Sequence, residues 1–274
     1  LLPGIDGWDV LRTLKADPQL RDVPVLMQTV MDERDVGLAL GAADFRDVTV
    51  TLAGTNDAPT IVAGSTTATG SVTEIADGTA GENTTSRTAE GTIAFADVDT
   101  IDAHSASVTE QDSGYLGSLS LGTVDQAGNS VNWTFSVEDS ALDFLSAGET
   151  RIQNYTVAVS DGKGGSVNQT VSVTISGTND APVVSGAVTG AAKEDGALST
   201  LSALASASDV DAGTTLSVVN VPGGLPAGVS YDAATQSFTL NPSVSAYQSL
   251  AAGETKTVSV SYGVSDGIAT TPAS

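Results

Sequence analysis

From about residue 46 onward apolar side chains recur at every second position, and no other feature constrains the fold as strongly. In VNWTFSV, residues 131–137, Val131, Trp133, Phe135 and Val137 share one face and polar residues take the other. YTVAVS (155–160), VSVTIS (171–176) and KTVSVSYGV (256–264) alternate in the same way. Successive side chains of a strand point to opposite sides of its sheet, so each run predicts a strand with one buried face and one wet face. Stretches rich in turn residues, such as SDGKGGS (160–166) and VPGGLPAG (221–228), separate the runs as stacked antiparallel sheets require. Charged residues are only 16% and aromatic residues 4% of the chain, which disfavours long solvent-facing helices. The expected class is mainly β, and 274 residues allow about two domains, each with a core of its own.

The alternation is organised as a repeat. GTNDAP occurs at Gly54–Pro59 and again at Gly177–Pro182, each time behind an alternating run. LSAGETRIQNYTVAVSDG (145–162) aligns without a gap on LAAGETKTVSVSYGVSDG (250–267), an offset of 105 positions from 145 to 250. Asp97-Val98-Asp99 returns as Asp209-Val210-Asp211, and Glu74 has its counterpart in Glu194. Each copy then spans roughly 100 to 120 residues, with shorter loops in the second. At the same offset, the last strand of copy one (167–177) maps onto positions 272–282, so copy two is expected to lack its last strand. DVTVTLAG (47–54) reads as the final strand of a preceding repeat. An open sheet edge beside an orphan strand predicts self-association by strand addition, with residues 47–54 of one molecule pairing with copy two of another.

Residues 1–45 are of another kind. They hold both methionines and four of the ten basic residues, Arg12, Lys15, Arg21 and Arg34. In GWDVLRTLKADP the apolar residues Val10, Leu11 and Leu14 recur at helical spacing and Pro18 stops the run. PVLMQTV (24–30) reads as a buried strand, and MDERDVGLALGA (31–42) as a second helix with Asp32 at its N-cap and Gly41 as its stop. Helix, strand, helix is an α/β pattern.

The formal charge is −23, from 33 acidic and 10 basic residues. Phosphate binding needs basic clusters, so nucleic acid is excluded as a partner, and the charge points to cations. There is no cysteine, which removes disulfides and thiolate metal sites. No apolar run reaches the roughly 18 residues of a membrane span, and the first residues lack the pattern of a signal peptide. G-x-S-x-G, H-E-x-x-H and phosphate-loop motifs are absent, and GKGGS (162–166) lacks the phosphate-loop spacing, so no enzyme is expected. His104, the single histidine, lies in a polar stretch and reads as a solvated surface residue. Trp133, inside an alternating strand, reads as core. If Asp97 and Asp99, or Asp209 and Asp211, lie two apart in a strand, each pair sets two carboxylates on one side about 7 Å apart. A hard cation taking six to eight oxygens would turn that repulsion into attraction. The competing reading is that Asp and Asn in loops cap turns and keep the chain soluble.

AEGTIAFADVDTIDAHSASVT (89–109), GYLGSLSLGTVDQAGNSVNWTFSVEDSALDFLSAGE (114–149) and YTVAVSDGKGGSVNQTVSVTISGTNDAP (155–182) resemble the VCBS repeat, a cadherin-like module of very large bacterial surface and RTX-type secreted adhesins. Copy two keeps the DVD, AGET and SDG landmarks, and its middle resembles a related cadherin-like variant. The resemblance implies tandem cadherin-like, immunoglobulin-like β-sandwiches. It implies Ca2+ at the joints, one site gathering Asn56 and Asp57 with Asp97, Asp99 and Asp161. The second gathers Asn179 and Asp180 with Asp209, Asp211 and Asp266, joined by Glu74 from the module before. LLPGIDGWDVLRTLKADPQLRDVPVLMQTVMDERDVGLALGAADF resembles the middle and later part of a response-regulator receiver domain, with Thr29 where that family has its switch hydroxyl. Arg46-Asp47-Val48 stands where the family has Lys-Pro, so no phosphotransfer role follows.

The expected division is therefore a truncated receiver-like α/β fragment at 1–45 and a last strand plus linker at 46–57. A VCBS-like sandwich follows at 58–180, then a second cadherin-like sandwich lacking its last strand at 181–274. The expected role is a calcium-stiffened rod of an adhesin in cell adhesion or biofilm formation, extracellular or on the bacterial surface. Its partners would be neighbouring repeats of the array and a host or matrix surface. The alternatives are a signalling fusion with a degenerate receiver domain and a carbohydrate-binding accessory module, the latter requiring exposed aromatics on one face.

Overall fold

The longest alternating runs make the longest strands. In the computed structural model, which describes residues 7–27, 39–41, 44–45 and 50–274, β5 (Ser86–Ala96) and β8 (Ser130–Glu138) lie antiparallel. Before β5 come β3 (Thr60–Ile61) and β4 (Thr69–Thr73), and between β5 and β8 come β6 (Ser105–Glu110) and β7 (Ser118–Leu121). β9 (Thr150–Ser160) and β10 (Ser166–Ser176) close the module. Two four-stranded sheets result, in the orders β3-β5-β8-β7 and β4-β10-β9-β6, with β4 parallel to β10 and the other pairs antiparallel. This is the immunoglobulin-like arrangement, in which the first strand is shared between both sheets.

Between the sheets the alternation becomes a core. Val131, Trp133, Phe135 and Val137 from β8 face Tyr155, Val157 and Val159 from β9 and Val171, Val173 and Ile175 from β10, all at most 2% exposed. Trp133 is the largest of them, and its indole Nε1–H donates to Thr67 O at 2.8 Å. Gly91, opposite Trp133 in the ladder, makes room for the ring: a Cβ there would stand 2.5 Å from Trp133 Cζ2 and from Thr67 O. The core assignment of Trp133 holds.

The second module repeats the order with shorter strands. They are β11 (Val183–Val184), β12 (Ser199–Ser202), β13 (Ala207–Ser208), β14 (Ser217–Val219), β15 (Val229–Asp232), β16 (Ser237–Leu240), β17 (Tyr262–Ser265) and β18 (Thr270–Ala273). β11 pairs with β13 and β12 with β16, as β3 and β8 pair with the single strand β5, so a turn at residues 203–206 splits that strand in two. β14-β17-β18 matches β6-β9-β10. Ala203, Tyr262 and Val264 are the fully packed centre, and Phe238 bridges Tyr231 and Tyr262 with ring centroids 4.9 and 5.2 Å away.

Two expectations change here. Copy two does not lack its last strand outright, because Thr270–Ala273 forms the opening part and pairs with β17. The predicted strand over 256–264 is a strand only at Tyr262–Ser265. In the first sandwich residues 150–155 are held by residues 171–176 of β10, and a strand needs such a ladder partner. The counterparts of 150–155, residues 255–260, have none.

The chain divides into two units, Leu1–Thr55 and Asn56–Ser274, and both sandwiches belong to the second. In the first, α1 (Gly7–Ala16) forms where GWDVLRTLKADP predicts it, with Leu11 buried. β1 (Leu26–Met27) pairs in parallel with β2 (Asp44–Phe45), and Gly41 has φ +85°. Most of the helix expected at 31–42, Thr29, and residues 47–49 of DVTVTLAG lie outside the described residues. Residues 50–54 form no strand, contrary to expectation: Val50 and Leu52 are 74% and 91% exposed and pair with no strand among the described residues.

Candidate metal centre

β5 ends at Ala96, and the chain then turns so that Asp97 Oδ1 accepts from Asp99 N–H at 2.9 Å. Asp97 and Asp99 are thus not two apart in a strand as the spacing suggested. They form an Asx turn, because leaving the sheet frees the Asp97 carboxylate to cap its own loop. Asp99 Oδ2 in turn accepts from Asp57 N–H at 2.8 Å. Asn56 Nδ2 donates to Asp161 Oδ2 at 2.8 Å, and Asp161 Oδ1 accepts from Lys163 and Gly165 N–H across the β9–β10 turn. All five residues expected at the first joint, Asn56, Asp57, Asp97, Asp99 and Asp161, therefore belong to one network. Asp102 joins it: carboxylate oxygens of Asp97, Asp102 and Asp161 lie within 4.8 Å of one another, and Asp102 Oδ2 is buried without a partner.

His104 is not a solvated surface residue. It is buried, its Nε2 stands 3.1 Å from Asp97 Oδ2, and its ring lies 4.7 Å from Phe95. The polar string around it misleads because the loop after β5 folds back over the end of the core.

The second joint copies the first bond for bond. Asp211 N–H donates to Asp209 Oδ1 at 3.0 Å, Asp180 N–H to Asp211 Oδ2 at 3.0 Å, and Asn179 Nδ2 to Asp266 Oδ2 at 2.8 Å. Asp266 Oδ1 accepts from Ile268 and Ala269 N–H. The first sandwich adds its own acids. Glu74 Oε2 accepts from Thr178 N–H at 2.7 Å and Asp77 Oδ2 from Ala181 N–H at 3.0 Å. Oxygens of Glu74, Asp143 and Asp180 lie within 4.8 Å of one another, as do those of Asp77, Glu82 and Asp180. The sandwiches also touch through the backbone, with Ala212 N–H on Phe144 O at 2.9 Å. At Gly177 the chain passes so close to Leu145 O that a Cβ would stand 1.9 Å from it, which fixes glycine before the linker.

Here the carboxylates are packed without enough donors. Glu74, Asp180 and Asp211 are 4%, 7% and 5% exposed, yet Glu74 Oε1, Asp180 Oδ2, Asp209 Oδ2 and Asp211 Oδ1 are buried with no hydrogen-bond partner. Such oxygens are costly unless something positive meets them. Burial first, then Glu74, Asp211, Asp143 and Asp77 around it, push the Asp180 carboxyl up to about 7. Burial raises Glu74, Asp143 and Asp211 as well. The first joint differs: the Asp99 N–H, followed by His104, lowers Asp97, and the Asn56 amide lowers Asp161. Asp266 is also lowered: burial, its largest influence, acts upward and is outweighed by hydrogen bonds from Asn179, Ile268 and Ala269.

The sign of the resulting pH dependence follows. A carboxyl whose folded pKa lies above its unfolded value binds protons better when folded, so stability falls as pH rises between the two values. With Asp180 at about 7 against 3.8, cation-free protein is expected to melt lower at about pH 8 than at about pH 5, by several degrees. A saturating divalent cation is expected to abolish that slope. Melting curves across this range, with chelator and with calcium, measure both.

Asp143, Asp77, Glu82 and Asp102 lie outside the set that the sequence repeat marks. Between the two copies, Asp143 faces Gln248 at the 105 offset, while Asp102 faces Thr214 at the 112 offset of the DVD motif. Acids unique to the first copy drop out of such a comparison. The acid in LDFLSAGE (142–149), where the second copy has YQSLAAGE (247–254), is the sequence signal for Asp143.

A profile described as a bacterial Ig domain matches residues 179–274. The response regulator PleD of Caulobacter vibrioides is 46% identical over 48 residues, which are 16% of this chain and 11% of that protein. Among solved structures, the extracellular cadherin domains 1–5 of protocadherin gamma B2 superpose with a TM-score of 0.41 at 18% identity, covering 80% of this chain and 40% of theirs. Mouse cadherin-23 EC22–24 gives 0.39 at 16% identity, covering 80% and 66%. This chain thus spans about a tenth of PleD and less than half of the protocadherin fragment. The chain is mainly β, built of immunoglobulin-like sandwiches, and residues 179–274 are similar to a bacterial Ig domain. Among the described residues no helix is long and apolar enough to cross a membrane.

Proposed function

We propose that this chain is a non-catalytic structural segment of a bacterial surface or secreted adhesin, in which Ca2+ at the joints stiffens tandem sandwiches into a rod. The observation that carries the proposal is the seam between the sandwiches. Buried oxygens of Glu74, Asp180, Asp209 and Asp211 stand there without partners. Carboxylates, an Asn amide oxygen and backbone carbonyls are hard donors of the kind calcium collects in sixes to eights. Glu74, Asp143 and Asp180 would hold one ion, with Asp77, Asn179, Asp209, Asp211 and Asp266 close by. Asn56, Asp57, Asp97, Asp99, Asp102 and Asp161 would serve the joint at the start of the first sandwich. Calcium supplies positive charge that binds acids of both modules at once and so removes their freedom to swing.

On this reading the modules are 58–180 and 181–274, with 46–57 as strand remnant and linker. The partners are further repeats of a VCBS-type, RTX-like array and a host or matrix surface, and the setting is extracellular, in adhesion or biofilm. A second reading, a signalling fusion, is favoured by the short stretch shared with PleD and by LPGIDGW, and assigns residues 1–45 to a degenerate receiver domain. Small-angle scattering distinguishes a stiffened pair from a loose one. Calcium is expected to sharpen the distance distribution and raise its maximum. Identical curves in chelator and in millimolar calcium would remove the rod while leaving the fold untouched.

A further inference from the structure

Asp139 is 1% exposed, and its carboxylate clasps both ends of the loop between β4 and β5. Oδ1 accepts from Ile75 N–H at 2.8 Å and Oδ2 from Asn83 N–H at 3.0 Å. Inside the loop Glu82 Oε2 accepts from Gly78 N–H at 2.6 Å. Gly78 and Gly81 take φ of +71° and +98°, which a residue with a side chain adopts only at a cost. The loop is thus set by the fold itself, and it carries Asp77 and Glu82.

This loop meets the linker. Asp77 Oδ2 accepts from Ala181 N–H at 3.0 Å, and beside that bond stands Asp180, 7% exposed, its Oδ2 buried without a hydrogen-bond partner. Oxygens of Asp77, Glu82 and Asp180 lie within 4.8 Å of one another. Among the described residues the acids of this seam fall into two such groups, Glu74 with Asp143 and Asp180, and Asp77 with Glu82 and Asp180. The groups share Asp180 and do not merge. Oxygens bound to one calcium ion at about 2.3 to 2.6 Å stand no more than about 5 Å apart, so two groups call for two ions. One divalent ion would also leave most of the charge of these carboxylates uncompensated.

We propose, building on the cation-bound joint above, that the seam holds a second hard divalent cation on Asp77, Glu82 and Asp180, with the Asp180 carboxylate bridging two ions. Asp77 is exposed and Glu82 partly so, and water completes the oxygen shell. A site open to water is less rigid and binds more weakly than a closed one, so this ion enters after the ion on Glu74, Asp143 and Asp180. It ties the 75–83 loop to the linker and fastens the second sandwich to the first a second time. The joint therefore stiffens in two steps as calcium rises.

The test is equilibrium dialysis of the full chain against calcium from micromolar to millimolar, with D77N/E82Q beside it. Both substitutions keep an oxygen for Ala181 N–H and for Gly78 N–H, so the variant is expected to melt no lower than the parent in chelator. It is expected to bind one ion fewer than the parent, and its melting temperature is still expected to rise with calcium through the remaining ion. E90Q, which removes an exposed charge in the middle of β5, is expected to bind as many ions as the parent. Hydrogen exchange across residues 76–84 is expected to slow when calcium is added to the parent and to stay unchanged in D77N/E82Q. Equal ion counts in the parent and D77N/E82Q, or equal slowing of the loop in both, overturns the second site and leaves the proposed function standing. A parent that binds no calcium removes both.

Discussion

Trp133→Ala is expected to destabilise the first sandwich by about 4 kcal/mol, the upper range for emptying a large aromatic site. Three losses combine. The indole, fully buried, forfeits its transfer from water, its Nε1–H no longer meets Thr67 O, and a large void opens. The void cannot collapse readily, because the positions closest to the ring, Gly70 and Gly91, have no side chains to swing in. Differential scanning calorimetry should show the transition of the first sandwich falling by about 15 °C, on the usual scale for a domain near 100 residues. The transition of the second sandwich, whose core of Ala203, Tyr262 and Val264 is separate, should move much less. A shift of the first transition by less than about 3 °C would mean that Trp133 is not the centre of this core.

The second large effect is at the seam. Glu74→Gln with Asp180→Asn keeps shape and removes two charges from the cluster. If the carboxylates wait for a cation, the two forms of the protein should respond in opposite directions. In chelator the variant should melt no lower than the parent, and higher above about pH 7, because repulsion around Asp180 is relieved. In calcium at about a hundred times its dissociation constant the parent gains about 2.7 kcal/mol per site, or about 6 to 10 °C, and the variant should lose most of that gain. If Glu74 serves only to cap Thr178 and Asp180 only to fill space, the variant should melt equally low in both media. The two accounts separate in one pair of melting curves.

Much of the fold is legible in the sequence because a half-buried strand writes its burial directly into every second letter. Val131, Trp133, Phe135 and Val137 are read correctly from spacing alone, and so are Tyr155, Val157 and Val159. The same rule fails at 256–261, where the letters alternate and no strand forms. Alternation reports which side is apolar, whereas a strand also needs a neighbour to bond, and that depends on residues far away in sequence. It fails again at Asp97 and Asp209, where the period of two continues past the end of the ladder and the chain has already turned. The candidate site is legible in its repeated half only. Asn56, Asp57, Asp97, Asp99 and Asp161 recur in order as Asn179, Asp180, Asp209, Asp211 and Asp266, and the structure brings each set together. Asp143, Asp77 and Glu82 come from the preceding module, and Asp143 faces Gln248 in the second copy, so the packing of one sandwich against the next is what brings them to the joint. His104 illustrates the same limit: a polar neighbourhood in sequence became a buried contact with Asp97 once the loop after β5 folded back.

The most direct test of a cation-bound joint is the melting temperature of the unsubstituted chain as calcium is titrated at about pH 8, above the value of about 7 to which Asp180 is pushed. A saturable rise of about 6 to 10 °C, with none when a monovalent salt replaces calcium at equal ionic strength, is the predicted result. A melting temperature that stays flat through millimolar calcium would contradict it, and would leave the buried carboxylates of Glu74, Asp180 and Asp211 without the counter-charge that their packing calls for.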